Sequence, residues 1–211
     1  MAAMEDVLEL YAEADDPTRP RVNFDECSVE LHEDARDPLP LAPGRPARID
    51  YEYVRAGTAN LFVIVDPTGG RRHVAVTGRR TKADFAAQMK YVCDVMYPDA
   101  RAIRVVLDNL NTHTVGALYE AFAPAEARRL AARLEFHYTP KHASWLDMAE
   151  VEIGVLSRQC LQRRIPDREI LGRETAAWAA RRNAGHAPIH WRFTVSDART
   201  KLNHLYPLQS L

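Results

Sequence analysis

Three carboxylates at widely spaced positions could together hold metal ions. Asp25 interrupts residues 22–31, a run typical of a β-strand, where an inward-facing carboxylate loses hydration and needs a cation. Asp108 directly follows the apolar run 103–107, and ligands bind at strand ends in α/β sheets. Glu150 lies at the border of the apolar stripe of a predicted helix. Such oxygen ligands suit Mg²⁺ or Mn²⁺, so we expect a site for two ions.

Each of these residues also has a structural explanation, which the sequence leaves open. Asp25 could be exposed on an edge strand, and Asp108 or Asn111 could turn the chain or cap the next helix. His113 could assist a nucleophilic water or touch a phosphate, although a single loop histidine is more often a surface or hydrogen-bonding residue. Glu152 is expected to be a solvated helix charge.

Asp147 competes with Glu150 on the same predicted helix. Ser144 and Asp147 have the spacing of a capping box, so we expect the helix to open there. With 100° per residue, Asp147 lies about 140° from the centre of the apolar stripe and Glu150 about 80°. Glu150 is therefore the preferred metal ligand.

An antiparallel meander followed by alternating strands and helices is predicted to position these residues. After a short acidic helix (4–14) and a connector (15–20), the predicted strands are 22–31, 61–65, 73–77, 102–107 and 134–138. Residues 33–56 are proline-rich and predict a long excursion, whereas 60–77 predict a hairpin. The predicted helices begin at a Thr81 capping box, near 115, near 125, at Ser144 and near 167, the last one ending near 183. This order predicts an α/β fold with a mixed sheet flanked by helices.

Composition excludes several classes of protein. The chain has 211 residues, 46% of them hydrophobic, which suits one globular domain. No apolar run approaches the roughly 18 to 20 residues that a membrane helix needs, and the acidic start is unlike a secretion signal. Cys27, Cys93 and Cys160 form no CxxC pair, which argues against a disulfide framework and a zinc finger. We therefore expect a cytoplasmic protein with no membrane association.

The basic residues are mostly arginines, and several occur in pairs. There are 24 arginines and 4 lysines, but 29 acidic residues leave a net charge of −1, so composition alone does not indicate a nucleic-acid binder. Arginine clamps phosphate well. We predict phosphate contacts for Arg79, Arg80, Lys141, Arg163 and Arg164. The alternative is that arginine is simply abundant on solvated faces.

Three longer motifs make a family resemblance specific. Residues 50–62 (DYEYVRAGTANLF), 106–113 (VLDNLNTH) and 138–150 (YTPKHASWLDMAE) resemble the catalytic domain of bacterial insertion-sequence transposases of the IS630 group, relatives of the Tc1/mariner transposases. The segment 191–201 adds to this resemblance, which extends over about 4–207.

The resemblance implies a ribonuclease H-like fold with an acidic triad of the DDE/DDD type. Asp25, Asp108 and Glu150 match the triad, and residues 1–20 and 21–207 would form a lead-in and the catalytic domain. The implied activity cuts DNA at element ends and joins the freed 3′-hydroxyl to target DNA. The implied partners are DNA and a second copy of the chain in a homodimer. The implied location is the bacterial nucleoid. Asp147 stands where the family more usually has Asn.

Family members normally carry helix-turn-helix modules ahead of the catalytic domain. Only some 20 residues precede Asp25 here, so we expect a separate helix-turn-helix chain or a truncated transposase. The alternative function is a non-catalytic DNA- or protein-interaction fragment of a degraded element.

Overall fold

A five-stranded mixed sheet forms the centre of the chain. The computed structural model describes residues 1–141 and 143–206, so the last residue of the predicted domain 21–207 lies outside them. The strands are β1 (Arg21–Asp34), β2 (Tyr53–Asp66), β3 (Arg71–Thr77), β4 (Ile103–Leu107) and β5 (Leu134–Tyr138), in the order β3-β2-β1-β4-β5. The first three are antiparallel, and β1, β4 and β5 run parallel. The predicted α/β class and mixed sheet are confirmed.

Seven α-helices flank this sheet in the described part of the chain. They are α1 (Ala2–Ala12), α2 (Lys82–Tyr91), α3 (Val115–Ala121), α4 (Pro124–Ala131), α5 (Met148–Leu156), α6 (Arg168–Ala184) and α7 (Val195–Lys201). Turns of π-helix extend α2 through Val92–Met96 and α5 through Ser157–Leu161. None of the helices in the described residues is both long enough and apolar enough to cross a membrane.

The register of the parallel strands sets the position of the two aspartates. Asn23 of β1 pairs with Val106 of β4. The two strands run in the same direction, and Asp25 and Asp108 each lie two residues beyond this pair. The sheet therefore brings these two side chains to one region at the carboxyl end of β4.

Alternation along β1 divides its side chains between two cores. Phe24 packs with Phe62 and Phe85 on the face covered by α2, α3 and α4. The opposite face, which carries Leu61 and Val63, packs against α5 and α6. Asp25 belongs to this second face, as its parity predicts, so α5 lies over it.

Helix α1 packs onto the domain through a third core. Met4, Val7 and Leu8 are buried with Val106 of β4 and Ala198 of α7. Residues 1–20, predicted as a lead-in, thus contribute apolar contacts to the fold. Helix α7 follows the predicted last helix and was not predicted.

The predicted excursion over 33–56 is wrong at both ends. His32–Asp34 pair with Tyr53–Arg55, so β1 and β2 extend as a long ribbon and only residues 35–52 form the loop. The last residues of β1 and the first residues of β2 are largely exposed. Because this part of the ribbon has no buried face, its sequence shows no alternation of apolar residues. The predicted hairpin is confirmed, since Asn60 pairs with Thr77.

Candidate active site

Four carboxylates line one cavity. Asp25, Asp108, Asp147 and Glu150 surround a volume of about 560 Å³, with Lys141 also in its wall. They come from the middle of β1, from the loop after β4, and from the start of α5. The structure therefore brings the three predicted ligands together, and it adds Asp147 to them.

Asp25 is partly buried beneath α5. Its Oδ1 accepts a hydrogen bond from the Glu26 backbone N–H at 2.8 Å. Desolvation by burial, together with the neighbouring carboxyls of Glu150 and Glu26, outweighs that bond and raises the pKa of Asp25 to about 7. A carboxyl in this state would gain from a nearby cation.

Asp147 is buried, which corrects two predictions from the sequence. Ser144–Leu146 form a 3₁₀ turn, and α5 begins at Met148 with Asp147 as its N-cap, accepting from the Ala149 N–H at 2.8 Å. The predicted Ser144 capping box is therefore wrong. So is the outward direction predicted for Asp147, because that angle assumed a helix running through residue 147. Burial, reinforced by the charge of Asp25, raises the pKa of Asp147 well above its ordinary value.

Asp108 is held by a buried histidine. His113 Nδ1 lies 2.5 Å from Asp108 Oδ1, and His113 Nε2 lies 3.0 Å from Glu26 Oε2. Burial disfavours the charged imidazole, but the hydrogen bond with Asp108 and the close carboxylate of Glu26 outweigh it and raise the pKa of His113 to about 9. His113 is thus a hydrogen-bonding residue of the interior, the second of the two roles left open by the sequence.

The carboxylate cluster fits a hard divalent cation. Asp25, Asp108 and Glu150 supply hard oxygen donors to one cavity, and the raised pKa of Asp25 reflects burial and carboxyl repulsion. Within residues 1–141 and 143–206, no three His, Cys, Asp or Glu side chains are yet grouped as a metal needs. Repulsion between unscreened carboxylates separates such side chains, and a cation removes it.

The residues predicted to contact DNA occupy different environments. Lys141 lines the acidic cavity, and Arg79 is exposed in a second cavity beside Arg168. Arg80 is also exposed, with Nη1 3.9 Å from Glu26 Oε1. Arg164 is partly buried, and its guanidinium binds Asp34 and the Asp50 carbonyl.

Arg163 belongs to a strongly basic cavity beyond the end of α5. Arg158, Arg163 and Arg181 line a volume of about 310 Å³ together with Glu174, which forms an ion pair with Arg163. Three guanidinium groups facing one carboxylate leave excess positive charge. The sequence did not indicate this grouping, because it joins residues of two separate helices.

Glu152 is not the solvated charge that the sequence predicted. Its side chain is 2% exposed and lies 3.2 Å from Arg72 Nη2 and 2.6 Å from Arg182 Nη2. Arg72 is itself fully buried. This ion-pair network fixes α5 against β3 and α6, and thereby supports the helix that carries Glu150. Arg72 is consequently unavailable to DNA.

Several known proteins are similar to this chain. Residues 20–172 match the family described as DDE superfamily endonuclease. The fold is similar to the Mos1 strand transfer complex (TM-score 0.57, 17% identity, 85% of this chain and 52% of that chain). It is also similar to the Mos1 mariner paired end complex with Mn (TM-score 0.54, 18% identity, 85% of this chain and 55% of that chain). A third similar structure is the Mos1 transposase paired-end complex with left transposon end (TM-score 0.54, 17% identity, 90% of this chain and 64% of that chain).

These likenesses establish the fold. The mixed sheet and its flanking helices are those of the ribonuclease H-like catalytic domain of the Mos1 transposase, as the sequence predicted. The chain spans between 52% and 64% of the solved chains just named. A search of curated proteins found no match.

Proposed function

The chain belongs to the DDE superfamily endonucleases, and from this membership we propose that it cuts DNA and joins the freed 3′-hydroxyl to target DNA as an IS630-type transposase domain. The observation that carries the proposal is the cavity lined by Asp25, Asp108 and Glu150, which lies where the sheet and α5 meet. Its carboxylates supply the hard oxygen ligands that Mg²⁺ and Mn²⁺ prefer.

In the proposed reaction the three carboxylates would hold two Mg²⁺ or Mn²⁺ ions. Such a pair of ions, when bound, activates the attacking oxygen and stabilises the leaving oxygen of an in-line phosphoryl transfer. Asp25 and Glu150 would hold the metal from the two sides of the gap between β1 and α5. Asp108 would hold it from the loop after β4. Use of Mn and Mg is consistent with the Mos1 complexes that carry these metals in their names.

The basic residues are proposed to hold the DNA backbone. Lys141 is placed to contact the phosphate entering the acidic cavity, which the carboxylates alone would repel. The cavity lined by Arg158 and Arg163 lies beyond the end of α5, the helix that carries Glu150. It is proposed to bind a second phosphate of the DNA backbone. Arg79 and Arg80 would bind a further part of the duplex.

Recognition of element ends is proposed to require a helix-turn-helix module outside residues 1–211, on this protein or on a separate chain. The catalytic domain would act on both ends as a homodimer, in the bacterial nucleoid. The Mos1 structures named as paired-end complexes support this assignment for a similar fold. The net charge of −1 supports weak DNA binding by this domain alone.

Cleavage of a labelled DNA duplex tests the proposal. We expect strand scission with Mn²⁺ or Mg²⁺, none with a chelator, and loss of activity in Asp108→Asn, which keeps the shape but removes the charge of a ligand. Asp99→Asn is the matched control, because this exposed residue precedes β4 and lies outside the cavity. Equal activity in the two variants, or scission without a divalent ion, would contradict the proposed function.

A further inference from the structure

His113 is enclosed between two carboxylates inside the fold. Its Nδ1 faces Asp108 Oδ1 at 2.5 Å, and its Nε2 faces Glu26 Oε2 at 3.0 Å. The imidazole is 1% exposed and the Glu26 side chain 3%. Since each ring nitrogen faces a protein oxygen, a substrate in the cavity cannot reach either of them. In this geometry His113 can neither exchange a proton directly with a substrate nor contact a phosphate.

The orientation of the imidazole is fixed by its surroundings. Phe24 lies edge-on to the ring with centroids 5.2 Å apart, and Phe85 lies 4.8 Å away on another side. The Tyr138 hydroxyl donates to the His113 carbonyl at 2.8 Å, which also holds the backbone. Because the imidazole cannot rotate, the carboxylate that it binds is held in one orientation.

Asp108 is the group that needs such support. It follows β4 in a segment without regular secondary structure, and its side chain is 42% exposed. An exposed loop carboxylate rotates freely unless another residue holds it. His113 holds Oδ1 of this carboxylate, and Asp108 also lines the acidic cavity. Histidine–carboxylate pairs orient groups around metal sites in this way.

Glu26 completes the arrangement from the neighbouring strand. It follows Asp25 in β1, so its side chain points to the opposite face of the sheet. One short stretch of β1 thus supplies a ligand on one face and the anchor of a second ligand on the other. Strand β1 therefore carries Asp25 itself and, at the next position, the side chain that anchors His113 beside Asp108.

We propose that Glu26 and His113 form a positioning pair that fixes the Asp108 carboxylate for metal binding. The inference rests on the proposed function only in taking Asp108 as a metal ligand. His113 is a positioning residue and does not contact DNA. Loss of the pair should weaken metal binding and leave DNA affinity nearly unchanged.

Mn²⁺ binding to the purified chain, measured by titration calorimetry, tests the proposal without requiring any cleavage. We expect His113→Leu to weaken Mn²⁺ binding by roughly 10- to 100-fold, a range typical of residues that support metal ligands. His113→Asn keeps an amide donor near the Nδ1 position and should recover part of the loss. Glu26→Gln keeps an acceptor for the imidazole and should have the smallest effect. His73→Leu is the matched control, since His73 stacks on Tyr91 within the fold, outside the acidic cavity.

A double-mutant cycle separates positioning from general damage to the fold. In an Asp108→Asn background, His113→Leu should cause little further loss of Mn²⁺ affinity, because the ligand it positions is already removed. An equal loss in both backgrounds would overturn the proposal, as would a His113→Leu chain that is less stable but binds Mn²⁺ normally. If His113→Leu does not fold, the same cycle is read with His113→Asn and Glu26→Gln.

Cleavage kinetics distinguish this inference from the proposed function. In an active chain, His113→Leu should raise the Mn²⁺ concentration for half-maximal cleavage while the KM for DNA changes less than about twofold. A raised KM with unchanged metal dependence would assign His113 to DNA contact and overturn the proposal. An inactive wild-type chain would count against the proposed function, and the Mn²⁺ titrations would still decide the role of His113.

Discussion

Replacing Asp25 by Asn should stabilise the metal-free protein at neutral and higher pH. The folded state raises the pKa of Asp25 to about 7 from its ordinary 3.8, mainly through burial and also through Glu150. A folded state that raises the pKa of an acid binds its proton more tightly than the unfolded chain does. Wild-type stability therefore falls as the pH rises from about 4 to about 7, and Asp25→Asn lacks this loss.

The size of the effect follows from the two pKa values. Each pH unit between them removes about 1.4 kcal/mol, so the full loss reaches at most about 4 kcal/mol. Asp25 keeps some contact with water and shares its repulsion with Glu150, so we expect about 2 to 4 kcal/mol at pH 8. The Asn amide oxygen can still accept the hydrogen bond that Asp25 Oδ1 receives from the Glu26 N–H.

Urea denaturation with a chelator present, at pH 4 and at pH 8, measures this difference. We expect the two proteins to have similar free energies of unfolding at pH 4 and the variant to be more stable at pH 8. Mn²⁺ should then stabilise the wild type more than the variant, because the variant has lost a ligand. An Asp25→Asn protein that is no more stable than the wild type at pH 8 would refute this reasoning.

Three other perturbations separate the roles of the charged residues. Asp147→Asn should increase the free energy of unfolding at neutral pH, since burial raises the pKa of Asp147, and it should retain most of the cleavage activity; a loss as large as that of a triad variant would show that Asp147 is a ligand. Glu152→Ala should destabilise the protein by roughly 3 to 5 kcal/mol in denaturant titrations, because it leaves the charge of Arg72 buried and unpaired. Loss of the half-buried Glu174, whose ion-pair partner Arg163 is exposed, should cost under about 1 kcal/mol. Neutralising Arg163 should flatten the plot of log K for DNA against log salt by about one unit, measured on a terminal-repeat and a scrambled duplex, and a preference beyond about tenfold for either would show that this domain reads sequence itself.

The grouping of the three candidate ligands could be predicted from the sequence because each depends on local pattern. Asp108 follows an apolar run, Asp25 interrupts a strand, and Glu150 borders an apolar stripe. The register between β1 and β4 then brings the first two together, and α5 covers β1 with the third. Local periodicity and parallel pairing were sufficient for this part of the site.

The support around the ligands depends on contacts between distant segments, which local pattern does not show. His113 and Glu26 meet across β1 and the loop after β4, and Glu152 meets Arg72 across 80 positions. From the sequence alone, a buried Glu152 is indistinguishable from a solvated one, because its partner is on another element. The prediction for Asp147 was wrong because both Ser144 and Asp147 can cap a helix. In the structure the helix begins after Asp147.

Diffraction from crystals soaked in Mn²⁺, with the anomalous signal of manganese, tests the central claim most directly. We expect two peaks about 3.5 to 4 Å apart, held by the carboxylates of Asp25, Asp108 and Glu150. The Asp108→Asn protein should lose at least one of them. Manganese bound outside the acidic cavity, or a cavity that remains without manganese while the chain cleaves DNA, would contradict the assignment of these residues as the metal ligands.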